Sequence, residues 1–182
     1  MYKKKKILAV VMARGGSNGI RFKNLRKING NSLVAITAKL LKKIKIIDKS
    51  IISSDNDSIL DEAEKFGLKK IFKRPSVLSG DLVSDFDVIR HALINSEKFY
   101  NTNFNLVLMI QPTSPLRTKK HIIECIKLFF KKKNTTSVWS VSKLDTKFHP
   151  MKILEKKNYT LKYYHSKGSK IIARQQLDSK YF

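Results

Sequence analysis

Ile7-Leu8-Ala9-Val10-Val11-Met12-Ala13-Arg14-Gly15-Gly16-Ser17-Asn18-Gly19-Ile20-Arg21-Phe22-Lys23-Asn24 decides the fold, because an uninterrupted apolar run passes directly into a glycine-rich, cationic loop. A short apolar run without polar alternation predicts a strand covered on both faces, as in a parallel sheet. Gly15, Gly16 and Gly19 predict a backbone that bends through positive φ and lets an anion approach closely. Arg14, Arg21 and Lys23 bring positive charge to the same turn. These are the ingredients of a triphosphate cradle, although glycines after a buried strand also serve as plain connections. The spacing matches neither the dinucleotide fingerprint G-x-G-x-x-G nor the P-loop G-x-x-x-x-G-K-[ST].

A second junction of the same kind lies far along the chain, where Leu106 to Ile110 runs into Gln111-Pro112-Thr113-Ser114-Pro115-Leu116-Arg117. Two such junctions share the carboxyl edge of a parallel sheet, where open α/β folds bind ligands. Between them, Asn31 or Ser32 caps a helix carrying Leu33, Ile36, Leu40 and Ile44, and residues 50–54 read as a strand. Asp57 or Ser58 opens a helix through Ile59, Leu60 and Ala63 that Gly67 ends. Residues 68–72 read as a strand stopped by Arg74-Pro75, and Ser84 with Asp87 forms a capping box that turns Phe86, Ile89, Ala92 and Leu93 inward. Thr118 starts a helix through Ile122, Ile123, Ile126 and Phe130, and residues 136–141 supply a further strand. This alternation predicts an α/β fold, Rossmann-like, with a mainly parallel sheet and helices on both faces. Beyond Ser142 the texture changes to short strands at 152–154 and 159–164 around a polar turn at 156–158.

At 182 residues the chain suits one domain, 1–182, with residues 143–174 protruding from it. No apolar run approaches the roughly 20 residues of a membrane span. Lys3 to Lys6 before the first apolar run is short of a signal peptide and reads as the flank of a core strand. The single cysteine, Cys125, sits among Ile122, Ile123, Ile126 and Phe129 and reads as a buried thiol, so the protein suits a reducing, cytoplasmic compartment. The net charge of +24 raises nucleic-acid binding as one reading. The lysines are scattered along every element and carry no interleaved aromatic motif, which favours solvated helix faces and a field that attracts acidic small molecules.

On the segment from Ala13 to Asn24, the unaltered Gln111-Pro112-Thr113-Ser114-Pro115-Leu116-Arg117, and Arg74-Pro75, His149-Pro150 and Arg174-Gln175-Gln176-Leu177 in order, the chain resembles the acylneuraminate cytidylyltransferases. That family comprises the CMP-sialic acid synthetases and their legionaminate and pseudaminate relatives. The resemblance covers essentially the whole chain. It implies a nucleotidyltransferase that joins CMP from CTP to a nine-carbon nonulosonic acid with release of pyrophosphate, helped by Mg²⁺. It also implies a homodimer, whose protruding segment completes the partner's sugar site.

The resemblance further assigns residues. Arg14 clamps the triphosphate beside Ala13, with Gly15, Gly16 and Ser17 as loop donors, and Lys23 reaches the α-phosphate. Asn24 holds the ribose or the loop. Arg74 reads the pyrimidine edge, with Val83, Ser84 and Asp85 as the base-contacting turn. Gln111, Ser114 and Arg117 shape the sugar pocket, and Arg174 meets the sugar carboxylate. His149 reads as structural; Asp55 faces the nucleotide or caps the next helix. The chain departs from the family at Asn18, Arg21 and Phe22, where lysine and then proline with a small or apolar residue are usual. Family members continue past the position of Phe182 into an Asp-x-Asp pair that holds Mg²⁺, so no metal ligands are expected here and the chain reads as a shortened form. A CTP-binding, dimerising fragment with impaired turnover therefore stands as the alternative, and a nucleic-acid-binding protein as a third, resting on charge alone.

Overall fold

β1 (Ile7–Met12) is the central strand, and Ile7 to Val11 are fully buried. In a computed structural model describing residues 2–16, 19–171 and 173–181, it is followed by a two-stranded ribbon, β2 (Lys27–Ile28) with β3 (Asn31–Ser32), and by helix α1 (Leu33–Lys42). Then come β4 (Lys49–Ser53), α2 (Asp57–Lys65), α3 (Asp85–Tyr100), β5 (Leu106–Ile110) and α4 (Lys119–Lys131). The main sheet has the order β4-β1-β5 and is parallel throughout. Alternate residues of a strand face opposite sides. Leu8 and Val10 join Ile51 and Ala92 in a core against α3, with Ile71, Phe72, Ile89 and Leu93 packed around it. Ile7, Ala9 and Val11 point the other way and are equally buried, so the sheet is covered on both faces. No helix among the described residues is long and apolar enough to cross a membrane.

The register sets the strand ends in line: Met12 pairs with Ser53, and Val11 with both Ile52 and Ile110. The loops after β1, β4 and β5 therefore leave one edge. Among the described residues, β5 has a strand neighbour on one side only, and its Met109 is exposed.

Several local expectations shift. Residues 68–72 make one parallel bridge, Lys69 to Ile51, instead of a strand, because the chain peels away after Lys69 to lay Ile71 and Phe72 on the α3 core. Residues 136–141 form no strand; they meet no ladder partner among the described residues, and Trp139 and Val141 stand exposed. Asn56 caps α2, one residue before the expected Asp57, by accepting from the Ile59 N–H at 3.1 Å. In α3 the buried stripe is Val88, Ala92 and Ser96, spaced four apart, which leaves Phe86 at 73% exposure. In α1 the buried face runs through Leu33, Val34, Thr37, Ala38 and Leu41, with Ile36 and Leu40 at its margin.

The chain forms two compact units, Met1–Glu124 and Cys125–Phe182, the division falling within α4, where Cys125 is half-buried. The second unit contains an antiparallel hairpin, β6 (Leu154–Lys157) with β7 (Thr160–Tyr163), turned at Asn158, whose φ of 54° a short polar side chain tolerates. Every hairpin residue is exposed. His149 is buried at the base: its Nδ1 accepts from the Met151 N–H at 3.2 Å, which leaves Nε2 to donate to Asp178 Oδ1 at 3.3 Å. Gly168 is needed there by close packing, since a Cβ would stand 2.6 Å from both the Met151 carbonyl oxygen and Tyr163 Cδ1.

Ser32 joins two helices of the first unit. Its buried Oγ accepts from the Ala35 N–H at 3.0 Å, capping α1, and donates to Glu62 of α2 at 2.7 Å. Ser32→Ala removes a cap and strands a carboxylate, so urea unfolding should show a loss of about 1–2 kcal/mol; an unchanged midpoint would mean the cap contributes nothing.

Candidate functional site

The loop after β1 is shaped by three local devices. Ala13 continues the ladder by donating to the Ser53 carbonyl at 3.1 Å. The Gly15 N–H donates to Asp55 Oδ1 at 2.9 Å, so Asp55 faces the loop and leaves the helix cap to Asn56. Phe22, at φ 52°, reverses the chain into the 3-10 turn Lys23–Leu25, and buried Asn24 closes the loop by donating to the Arg14 carbonyl at 3.0 Å. Arg21 lies over the Phe22 ring, 5.3 Å from its centroid. The glycine requirement differs from expectation. Neither Gly15 nor Gly16 has positive φ. Gly15 is needed because an added Cβ would lie 2.9 Å from Asn56 Cβ, whereas Gly16 opens onto free space.

This loop, the chain after β4 and the turn after β5 enclose a cleft of about 360 Å³. Arg14, Lys23, Asn24, Arg74, Val83, Asp85 and Gln111 all line it. Arg74 reaches the sheet edge by donating its N–H to the Ser54 carbonyl at 2.8 Å, so the expected position survives the loss of the expected strand. Arg74 is only 5% exposed, and its guanidinium donates to the carbonyls of Ser53 at 3.3 Å and Leu78 at 3.4 Å, long bonds that leave capacity to spare. Burial pushes the Arg74 pKa down; Asp55 opposes this, Arg14 adds to it and Asp85 opposes it. An arginine stays charged through such a shift. Arg74 Nε and Asn24 Oδ1 are buried without a protein partner. Orphaned polar atoms cost stability, and a polar ligand in the cleft would offset that cost.

The remaining expected residues are less central. Ser84 serves as the α3 cap, its Oγ accepting from the Asp87 N–H at 3.2 Å and donating to the Asp87 carboxylate at 2.6 Å. Gln111 donates weakly to Asp85 at 3.4 Å. Arg117 donates to the Gln111 carbonyl at 3.2 Å and its N–H to the Ser114 carbonyl at 3.1 Å, so the pair braces the turn. Arg174 falls in a 3-10 turn of the second unit; its side chain, like Ser17, lies outside the described residues. Met12, Leu78, Gly80, Asp81, Val88, Pro112 and Thr113 complete the lining and were not foreseen. Asp81 forms an ion pair with Arg14 at 2.5 Å. A signal for it existed, since Asp81, Asp85 and Asp87 crowd into seven residues of a chain with only 14 acidic side chains.

Residues 8–179 match the family model described as cytidylyltransferase. The chain belongs to the cytidylyltransferase family. Within it, the chain is 33% identical over 135 residues to post-translational flagellin modification protein B of Campylobacter coli, covering 74% of this chain and 57% of that protein. It is 35% identical over 109 residues to the CMP-N,N'-diacetyllegionaminic acid synthase of Campylobacter jejuni, covering 60% and 46%. It is 36% identical over 124 residues to the N-acylneuraminate cytidylyltransferase of Escherichia coli, covering 68% and 28%. The chain thus spans between 28% and 57% of the length of these relatives. The cytidylyltransferase fold is seen again in a CMP:2-keto-3-deoxy-manno-octonic acid synthetase solved with CTP, at a TM-score of 0.62 and 15% identity over 80% of this chain and 56% of that one.

The two glycines of the loop give a paired test. Gly15→Ala forces the β1 loop or Asn56 to move and should lower unfolding stability by about 1–3 kcal/mol, while Gly16→Ala should unfold within experimental error of the parent. Equal thermal melts for the two variants would remove Asn56 as the reason for glycine at position 15.

Proposed function

We propose that this chain carries out cytidylyl transfer: the anomeric hydroxyl of a nonulosonic acid attacks the α-phosphorus of CTP and gives up its proton to solvent, the new O–P bond forms, and pyrophosphate leaves with the electrons of the broken Pα–O bond. The observation that carries this reading is the single cleft that gathers Arg14, Lys23, Asn24, Arg74 and Gln111 from three loops at one sheet edge. Transfer of this kind depends mainly on positioning and on neutralising phosphate oxygens. Arg14 and Lys23 supply the cations on the triphosphate side. Arg74 carries fixed donors with spare capacity, suited to cytosine O2 and N3. Gln111 and the turn it braces lie toward the sugar. The names of the relatives support a sialic, legionaminic or pseudaminic acid as acceptor. The single, half-buried thiol of Cys125 suits a reducing compartment, and we place the enzyme in the cytoplasm.

The family resemblance implies Mg²⁺. Among the described residues no group of three or more His, Cys, Asp or Glu side chains is placed to hold a metal ion.

CTP should raise the melting temperature more than ATP, because ligand bound to the native state alone stabilises by mass action and Arg74 favours the pyrimidine. Arg14→Ala should weaken CTP by roughly 1.5–3 kcal/mol, the worth of a charged hydrogen bond, without unfolding the protein. Pyrophosphate release on mixing CTP with each candidate acid reads the reaction directly. Equal shifts with CTP and ATP would end the pyrimidine assignment, and CTP binding with no pyrophosphate from any acid would favour a binding module.

We also propose a homodimer built on the second unit, since Ile153, Leu154, Tyr159, Leu161, Tyr163 and Tyr164 stand exposed on or beside a hairpin too small to be stable alone. A two-fold pairing would bury them. Light scattering at micromolar concentration should give twice the chain mass, and deleting residues 152–164 should return a monomer that still binds nucleotide; a monomeric parent protein would refute the pairing.

A further inference from the structure

The Arg14 guanidinium does not wait free in the cleft. Its Nη2 lies 2.5 Å from Asp81 Oδ1, and both side chains face solvent, at 33% and 57% exposure. One carboxylate oxygen therefore stands where a phosphate oxygen would be recognised, on the cation that the loop presents to the cleft. The turn that carries Asp81 is lightly packed. Its neighbour Leu82 is fully exposed, and a Cβ built on Gly80 would meet nothing nearer than Val83 Cγ2 at 3.7 Å. Asn24 and Arg74, which line the same cleft, are held by bonds to half-buried or buried partners.

We infer that Asp81 is a positioning residue that acts through Arg14: it holds the guanidinium in the empty cleft, yields it to a polyphosphate, and recaptures it as pyrophosphate leaves. Two anions cannot share one cation at close range without like-charge repulsion, so polyphosphate binding exchanges partners and does not simply add one. The exchange lowers affinity for every ligand that uses Arg14 and leaves nucleoside contacts on the Arg74 side unaffected. It keeps Arg14 oriented before binding and makes its hold on the leaving group reversible. The pyrophosphate step rests on the cytidylyl-transfer reading; the competition for Arg14 does not.

The test titrates tripolyphosphate, pyrophosphate, CTP and cytidine into the parent protein, Asp81→Asn, Arg14→Ala and the double variant by calorimetry. Asp81→Asn should tighten tripolyphosphate, pyrophosphate and CTP by roughly three- to fivefold, the range of a partly exposed ion pair, and leave cytidine unchanged. In the Arg14→Ala background the same substitution should change tripolyphosphate affinity by less than about 1.5-fold, since double-mutant cycles isolate the coupling. Asp81→Ser serves as a second variant, and melting curves confirm that each protein is folded. Unchanged or weaker tripolyphosphate binding in Asp81→Asn overturns the inference. So does an equal gain with and without Arg14, which would reduce Asp81 to general field repulsion. Equal affinity of the parent for CTP and ATP would count against the cytidylyl reading alone, because the tripolyphosphate arms still decide the role of Asp81.

Discussion

Everything in the first unit hangs on the pairing of β1 with a parallel neighbour on each side. The strand donates and accepts along its whole length, and its residues Ile7 to Val11 are removed from water on both faces. Such a strand cannot slip, because a shift of one residue would exchange the α3 face for the opposite one and break two ladders together. The fixed register brings Val11, Ile52 and Ile110 level, and from that alignment follow the positions of the glycine loop, the Ser54–Arg74 contact and the braced proline turn. The cleft is a consequence of ladder geometry before it is a matter of cleft side chains.

The charges in the cleft come as opposed sets. Arg14 faces Asp81, Arg74 feels Asp55 and Asp85, and Asp85 also receives Gln111. In a chain of net charge +24 an unbalanced site would bind any anion. Carboxylates set against the arginines restrain that promiscuity and orient the donors, and removing a partner from a buried charge such as Arg74 is costly. His91 shows the same field from the outside: burial and then the Arg74 charge hold its imidazole below its ordinary pKa.

Much of this was legible in the sequence where one signal dominated. Ile7 to Met12 and Leu106 to Ile110 are apolar without alternation, and the glycines and prolines that follow leave few options, so both strands and their shared edge could be read directly. Ser84 and Gly67 announced helix ends for the same reason. What sequence could not supply was tertiary competition. Residues 68–72 have strand composition, yet Ile71 and Phe72 gain more by packing on α3 than by extending the ladder. Phe86 fits an amphipathic pattern, but the helix is rotated so that Val88, Ala92 and Ser96 face inward. The role of Gly15 depends on Asn56, a contact across 41 residues that no local rule contains. Asp81 was overlooked because its ion pair with Arg14 joins residues 67 positions apart.

The separation of β1 from its partners carries a consequence for synthesis on the ribosome. Ile7 pairs with Leu106, so this fully buried apolar strand emerges nearly one hundred residues before its β5 partner. At roughly 5–20 residues per second, β1 waits on the order of 5–20 s before that ladder can close. During that interval the nascent chain offers a bare β-forming segment, flanked by the lysines at positions 3–6, whose repulsion discourages like strands from joining. The lysines before β1 thereby act as gatekeepers for vectorial folding, a duty separate from any held by the finished cleft.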